Sequence, residues 1–135
     1  MTRRAVQDVG LAIKRIQARH HRALDARLGE LGLSLVQWDA LRHLNRNPDA
    51  SLRELAQLTF QSDQAFGTLA GRMVKRGLIE RVDGPGRAIR HRITDKGERL
   101  LAEGSAVATE VLTASFAPLD DEEFATLAGL LARLT

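Results

Sequence analysis

The sequence predicts a mainly α-helical chain that carries one small β-hairpin. Three observations predict it. Apolar residues recur every three or four positions over residues 1–31, and again from Thr94 to the end of the chain, the spacing of a single buried helical stripe. Between these regions, Ser51 and Ser62 are two helix-start signals in close succession. After Gly77 the apolar period falls to two and is interrupted at Gly84-Pro85-Gly86. Two short helices, a tight turn and a hairpin are the outline of a winged helix-turn-helix, a unit that sets one helix in the major groove of DNA. That lobe is expected over residues 34–94. Residues 1–33 and 95–135 are expected to be helices that pair two copies of the chain, within one compact domain overall.

The first helix is expected over residues 1–31. Val9, Ile13, Ile16, His20, Leu24, Leu28 and Leu31 form its stripe, the basic residues from Arg3 to Arg27 lie mostly off it, and Gly32 ends it. So long a helix exceeds what a small DNA-binding unit needs, which points to packing against a partner. Next, Ser34 and Gln37 form a capping box, with Leu33 and Trp38 at the two positions of a hydrophobic staple. This helix is expected to reach about Leu44 with Trp38 and Leu41 inward, before a polar turn from Asn45 to Ala50.

Ser51 and Glu54 form a second capping box, and Leu52, Leu55, Ala56 and Leu58 supply the buried face of a short helix. Ser62 caps the next one, and Asp63 in its first turn suits the helix dipole. Phe66, Leu69, Ala70, Met73 and Val74 should face the core, and Gly77 is placed to end the helix in a left-handed conformation. The opposite face offers Gln64, Thr68, Arg72 and Lys75.

Leu78 to Asp83 reads as a strand and Arg87 to Ile93 as its return. In the return strand Ile89, His91 and Ile93 share one face, and Arg90 and Arg92 the other, an arrangement suited to a phosphate backbone. Thr94-Asp95 starts a long helix with Leu100, Leu101, Val107, Val111 and Leu112 on its apolar side, fading near Phe116-Ala117-Pro118. Asp120 to Glu123 opens the last helix, with Leu119 and Phe124 as a staple. Phe124, Leu127, Leu131 and Leu134 continue its stripe to the end, where little core remains to cover, so packing between subunits is its natural use.

Composition bounds the function. A length of 135 residues with 44% hydrophobic content suits one folded domain. The absence of cysteine excludes disulfides and thiol redox switching. With neither a membrane-length apolar run nor a signal-peptide core, a cytoplasmic protein without membrane contact is expected. The net charge of +3 conceals an asymmetry: residues 72–92 hold seven Arg or Lys against two Asp or Glu, whereas residues 93–135 hold three against eight. A basic middle beside a helix-turn-helix is the footprint of a nucleic-acid surface. Catalysis finds no support. His20 and His21 are adjacent and diverge by roughly a quarter turn on a helix, His43 and His91 are isolated, and no glycine-rich phosphate loop is present. No catalytic residue, metal or cofactor is assigned.

The segment Arg76-Gly77-Leu78-Ile79-Glu80-Arg81, followed by the hairpin and Ile93-Thr94-Asp95-Lys96-Gly97, resembles a frame of the MarR (multiple antibiotic resistance regulator) family of bacterial transcription factors. Arg87 matches the family's wing arginine. Ser34 to Leu44 resembles its helix before the helix-turn-helix, and Asp121 to Leu134 its closing helix, so the resemblance covers nearly the whole chain. The recognition helix departs from the family pattern at Asp63, Gln64, Ala65, Gly67 and Thr68, and Pro85-Gly86 replaces an acidic residue often found before the wing arginines.

The resemblance implies a homodimer with interlocked terminal helices that presents two recognition helices and two wings to a pseudopalindromic operator. It also implies a repressor released by a small aromatic or phenolic effector. The candidate DNA contacts are Ser62, Gln64, Thr68, Arg72 and Lys75 on the recognition helix and Arg81, Arg87, Arg90 and Arg92 in the hairpin. Glutamine can read adenine, and arginine guanine. Val9, Ile13, Ile16, Phe116, Phe124, Leu127, Leu131 and Leu134 are the candidate dimer contacts. His20, Trp38 and Phe60 are candidate walls of an effector pocket, because they combine flat apolar surface with one titratable group. The competing reading is a winged-helix module for protein–protein contact with no operator of its own.

Overall fold

The computed structural model describes residues 1–82, 86 and 88–135. Its elements run α1 (Arg3–Gly29), α2 (Leu35–Arg46), α3 (Leu52–Leu58), α4 (Asp63–Lys75), β1 (Ile79–Val82), β2 (Arg90–Ile93), α5 (Asp95–Phe116) and α6 (Asp121–Leu134). The two strands pair antiparallel, with Ile79 opposite Ile93 and Arg81 opposite His91. No helix among the described residues is long and apolar enough to cross a membrane.

Local chemistry sets where each helix begins. Thr2, Ser34, Ser51, Ser62, Thr94 and Asp120 each accept a backbone N–H of the first turn through a side-chain oxygen. Ser34, Ser51 and Asp120 do so in full capping boxes with Gln37, Glu54 and Glu123. The expected polar turn after the second helix starts slightly later, because α2 continues to Arg46.

Three helix ends share one device. After α1, the N–H of Leu33 reaches Leu28 O at 3.1 Å and that of Gly32 reaches Gly29 O at 3.0 Å. After α4, the N–H of Leu78 reaches Met73 O at 3.0 Å and that of Gly77 reaches Val74 O at 2.9 Å. Both are Schellman motifs, which place one residue in the left-handed region. Gly32 (φ 76°) and Gly77 (φ 73°) fill those positions at no steric cost. After α3 the pattern repeats, with Gln61 N–H to Ala56 O at 2.8 Å and Phe60 N–H to Gln57 O at 3.2 Å. Here the left-handed residue is Phe60, at φ 57°.

One core joins the lobe to the long helices. Leu24 and Leu28 of α1, Trp38, Leu41 and Leu44 of α2, Leu55 of α3, Phe66, Leu69 and Met73 of α4, and Leu101 and Ala108 of α5 are all buried. Two glycines let α5 approach. A Cβ on Gly104 would fall 2.8 Å from Trp38 Cδ1, and one on Gly97 would collide with the Leu78 carbonyl and with Ile93 Cγ2.

Several expectations are corrected by the packing. Leu58 and Val74 are each 39% exposed, at the margin of their helical stripes rather than in the core. The strands are shorter than expected. Leu78 precedes β1 because its N–H closes the end of α4 and its carbonyl accepts the N–H of Thr94. Ile89 does not share the buried face of His91. It precedes β2 and is used through its backbone, its carbonyl accepting the N–H of Leu52 at 2.8 Å. Of the expected Gly84-Pro85-Gly86 turn, Gly84 and Pro85 lie outside the described residues, as do Asp83 and Arg87.

Candidate nucleic-acid interface

The recognition helix is held by one face and open on the other. Phe66, Leu69, Ala70 and Met73 anchor α4 in the core. Gln64, Thr68, Arg72 and Lys75 are exposed and step by four, four and three, so they form one outward stripe. Ser62 heads it, its Oγ accepting the N–H of Ala65 at 3.0 Å. The Thr68 hydroxyl donates to the carbonyl of Gln64 at 3.1 Å, so it is partly engaged within the helix. That leaves Gln64, Arg72 and Lys75 as the long side chains able to reach outward.

In the hairpin the arginines divide. Arg92 lies opposite Glu80, and its Nε donates to Glu80 Oε1 at 2.8 Å. The Nε of Arg90 donates to the carbonyl of Asp49 at 3.0 Å, tying β2 to the turn before α3. Arg81 is exposed and shares the sheet face of His91, away from Arg90 and Arg92. The hairpin therefore presents arginines on both faces, where one arginine face was expected. Arg87 is outside the described residues.

The exit of α4 is fixed by side chains from elsewhere. Arg76 Nη1 donates to Gln37 Oε1 at 2.8 Å, Lys96 Nζ donates to the carbonyl of Arg76 at 2.9 Å, and the Thr94 hydroxyl donates to the carbonyl of Gly77. These bonds set the pitch of the recognition helix against α2 and α5.

The expected effector walls do not come together. Trp38 lies between α2 and α5, its Nε1 donating to Ser105 Oγ at 3.2 Å and the Arg42 guanidinium lying 5.2 Å from its ring centre. Trp38, Arg42, Ser105 and Leu112 line a cavity of about 580 Å³ there. His20 lines a different, apolar cavity of about 370 Å³ with Ile13, Ile16, Leu24, Phe116 and Leu131. Its Nε2 is 2.6 Å from Ser115 Oγ, and it meets Phe116 edge-on at 5.4 Å, as Phe116 meets Phe124. Phe60 is on neither wall. It is 98% exposed, because its turn leaves the body of the lobe.

The terminal helices keep apolar surface in solvent. Val9 is 61% exposed and Leu134 74%, while Ile13, Ile16, Phe124 and Leu131 are also exposed. Phe116 and Leu127 are half-buried between them, and α6 has no buried residue.

A model of the MarR family matches residues 31–88. A probable transcriptional regulator from Pseudomonas aeruginosa is 32% identical, over 94% of this chain and 96% of its own, with a TM-score of 0.82. The chain belongs to the MarR family. The MarR fold is evident again in a variant of Escherichia coli MarR complexed with operator DNA, with a TM-score of 0.86 at 20% identity over 96% of this chain and 95% of that one. A MarR family protein of Mycobacterium tuberculosis complexed with salicylic acid is 26% identical, over 93% of this chain and 95% of that one, with a TM-score of 0.78. No curated protein sequence matches the chain.

Within this MarR-family chain, three structural roles escape the sequence. Arg76 reads as an ordinary helix-terminal cation, yet it bonds to α2. Gly97 reads as part of a motif, yet its reason is the Leu78 carbonyl. His91 is 6% exposed, and its Nδ1 has no partner among the described residues. Burial first, and the Arg81 guanidinium second, push its pKa below the ordinary value of 6.5. Only the alternation of β2 hinted at that burial.

Proposed function

We propose that this protein is a dimeric transcriptional regulator that binds a pseudopalindromic operator in double-stranded DNA as a repressor. The observation that carries the reading is the outward stripe of Gln64, Arg72 and Lys75 on a helix locked into the core by its other face. Two such helices would occupy successive major grooves, roughly 34–36 Å apart. Residues 34–94 are the DNA-binding lobe in this reading. Residues 1–33 and 95–135 pair the subunits through the exposed stripe from Val9 to Ile16, together with Phe116, Phe124, Leu127, Leu131 and Leu134. The operator-bound MarR of similar fold supports this reading. Arg81 and Arg87 supply phosphate or minor-groove contacts, and Arg90 and Arg92 contribute while held by Asp49 and Glu80.

Release by a small aromatic acid is the second half of the proposal. The cavity between α2 and α5 offers the Trp38 ring beside the Arg42 guanidinium, flat apolar surface next to a cation. It separates the lobe from a pairing helix, so a ligand favouring one spacing of the two would shift the distance between recognition helices. The salicylic acid complex of the M. tuberculosis relative supports that ligand class. Selection of bound sites from random DNA, followed by titration with and without salicylate, tests both halves. The expected result is an inverted-repeat site whose affinity falls steeply with salt and falls further with salicylate. Binding that ignores sequence would refute the operator. Salicylate that leaves affinity unchanged would refute the effector class.

A further inference from the structure

We propose that Phe60 is a specificity-determining residue for DNA, one that contacts a thymine methyl at the end of the recognition helix. The inference deepens the DNA-binding reading and rests on it. Three helices end in the same Schellman turn, and two of them put glycine at the left-handed position. The third puts Phe60 there, the only non-glycine residue with positive φ among those described. A bulky side chain disfavours that conformation, where Cβ crowds the following carbonyl.

Nothing among the described residues covers the Phe60 side chain. Phe60 is 98% exposed, so its ring gains no burial in return for the strained backbone. Strain of this kind persists where another use maintains it. Its position indicates the use. Phe60 lies two residues before Ser62, the cap of α4, so it stands beside the N-terminal end of the recognition helix. In helix-turn-helix docking that end meets the base edges. In the major groove a phenylalanine ring makes apolar contact with the C5 methyl of thymine. A chain whose recognition helix opens with Asp63 and has few long polar side chains gains discrimination from such a contact.

The test uses the full chain and a duplex recovered by selection from random sequences. Each thymine of that duplex is replaced in turn by deoxyuridine, which removes only the methyl group. The proteins compared are the wild type, Phe60→Gly and Phe60→Asn, both replacements being at ease in the left-handed region. The expected result is that both variants melt at a higher temperature than wild type yet bind the duplex more weakly. For wild type, at least one thymine position loses about fourfold in affinity per methyl, the worth of one buried carbon. For the variants the same replacement costs nothing. Variants that bind as tightly as wild type, or that lose as much on methyl removal, overturn the role of Phe60 while leaving the DNA-binding reading intact. A wild-type chain that binds no duplex at all overturns both.

Discussion

The guanidinium of Arg76, at the last turn of the recognition helix, donates to the side-chain carbonyl of Gln37 at 2.8 Å. The same Gln37 oxygen accepts the N–H of Ser34 and closes the capping box of α2. One amide oxygen thus links the entry of α2 to the exit of α4. Any shift of α4 against α2 within the lobe has to pass through this contact or break it.

Arg76→Ala is therefore expected to cost about 1–2 kcal/mol of stability, the worth of a part-buried charged hydrogen bond. It should also weaken binding to the selected duplex by loosening the recognition helix. Because Arg76 is turned into the protein, no phosphate contact is lost, and the slope of log affinity against log salt should stay at the wild-type value. A slope shallower by about one unit would instead make Arg76 a direct phosphate ligand. Fluorescence anisotropy at several salt concentrations distinguishes the two.

Gly97→Ala places a methyl against the Leu78 carbonyl and Ile93 Cγ2, where the nearer obstacle is backbone and cannot rotate away. The expected loss is about 1–3 kcal/mol, as for other overpacked sites. Gly10→Ala serves as the control, since a Cβ there meets nothing within 4 Å. Thermal melts of both variants check this, and equal midpoints would contradict the packing described.

His91 gives stability a pH dependence with a definite sign. Its pKa is lowered in the folded protein, so the unfolded chain takes up a proton first as pH falls. Above the ordinary value of 6.5 both states are neutral at this residue and its contribution is constant. Below 6.5, stability declines until pH passes the folded pKa, after which this residue adds no further loss. The opposing charge is Arg81, while Asp49, Arg90, Arg92 and Glu98 line the same cavity at the base of the hairpin. His91→Leu should flatten the melting temperature between pH 7 and pH 5 relative to wild type. Parallel curves for the two proteins would assign the slope to other groups.

Glu80 restrains Arg92 without adding much to the fold. The pair is largely exposed, so Glu80→Gln should change stability by less than about 0.5 kcal/mol. Removing the carboxylate frees a guanidinium and removes a repulsive charge beside the duplex. Affinity for DNA of any sequence should rise several-fold at low salt, with no change in the preferred site. Unchanged or weaker binding would place Arg92 away from the phosphates.

How far the sequence discloses this molecule depends on how local the cause is. Helix starts are local. A serine, threonine or aspartate oxygen satisfies an N–H three residues on, so Ser34, Ser51, Ser62, Thr94 and Asp120 mark their helices without any tertiary information. Gly32 and Gly77 disclose helix ends for the same reason. The outward stripe of α4 follows from the inward one by periodicity. What stays hidden depends on distant partners: Arg76 on Gln37, Gly97 on Leu78, Arg90 on Asp49. Phe60 misleads from sequence because an aromatic residue is ordinarily inside, and only the left-handed turn reveals that it faces water. Trp38 and His20 have the expected flat surfaces, but the course of α5 puts them in separate cavities.

The proposed function requires two copies of the chain gripping one duplex. Sedimentation of the purified protein with the selected duplex measures the mass of the complex, and so the number of chains per DNA, in a single experiment. The expected result is two chains on each duplex, with both dissociating together as salt rises. A complex holding one chain, or free DNA at every protein concentration at low ionic strength, would contradict it.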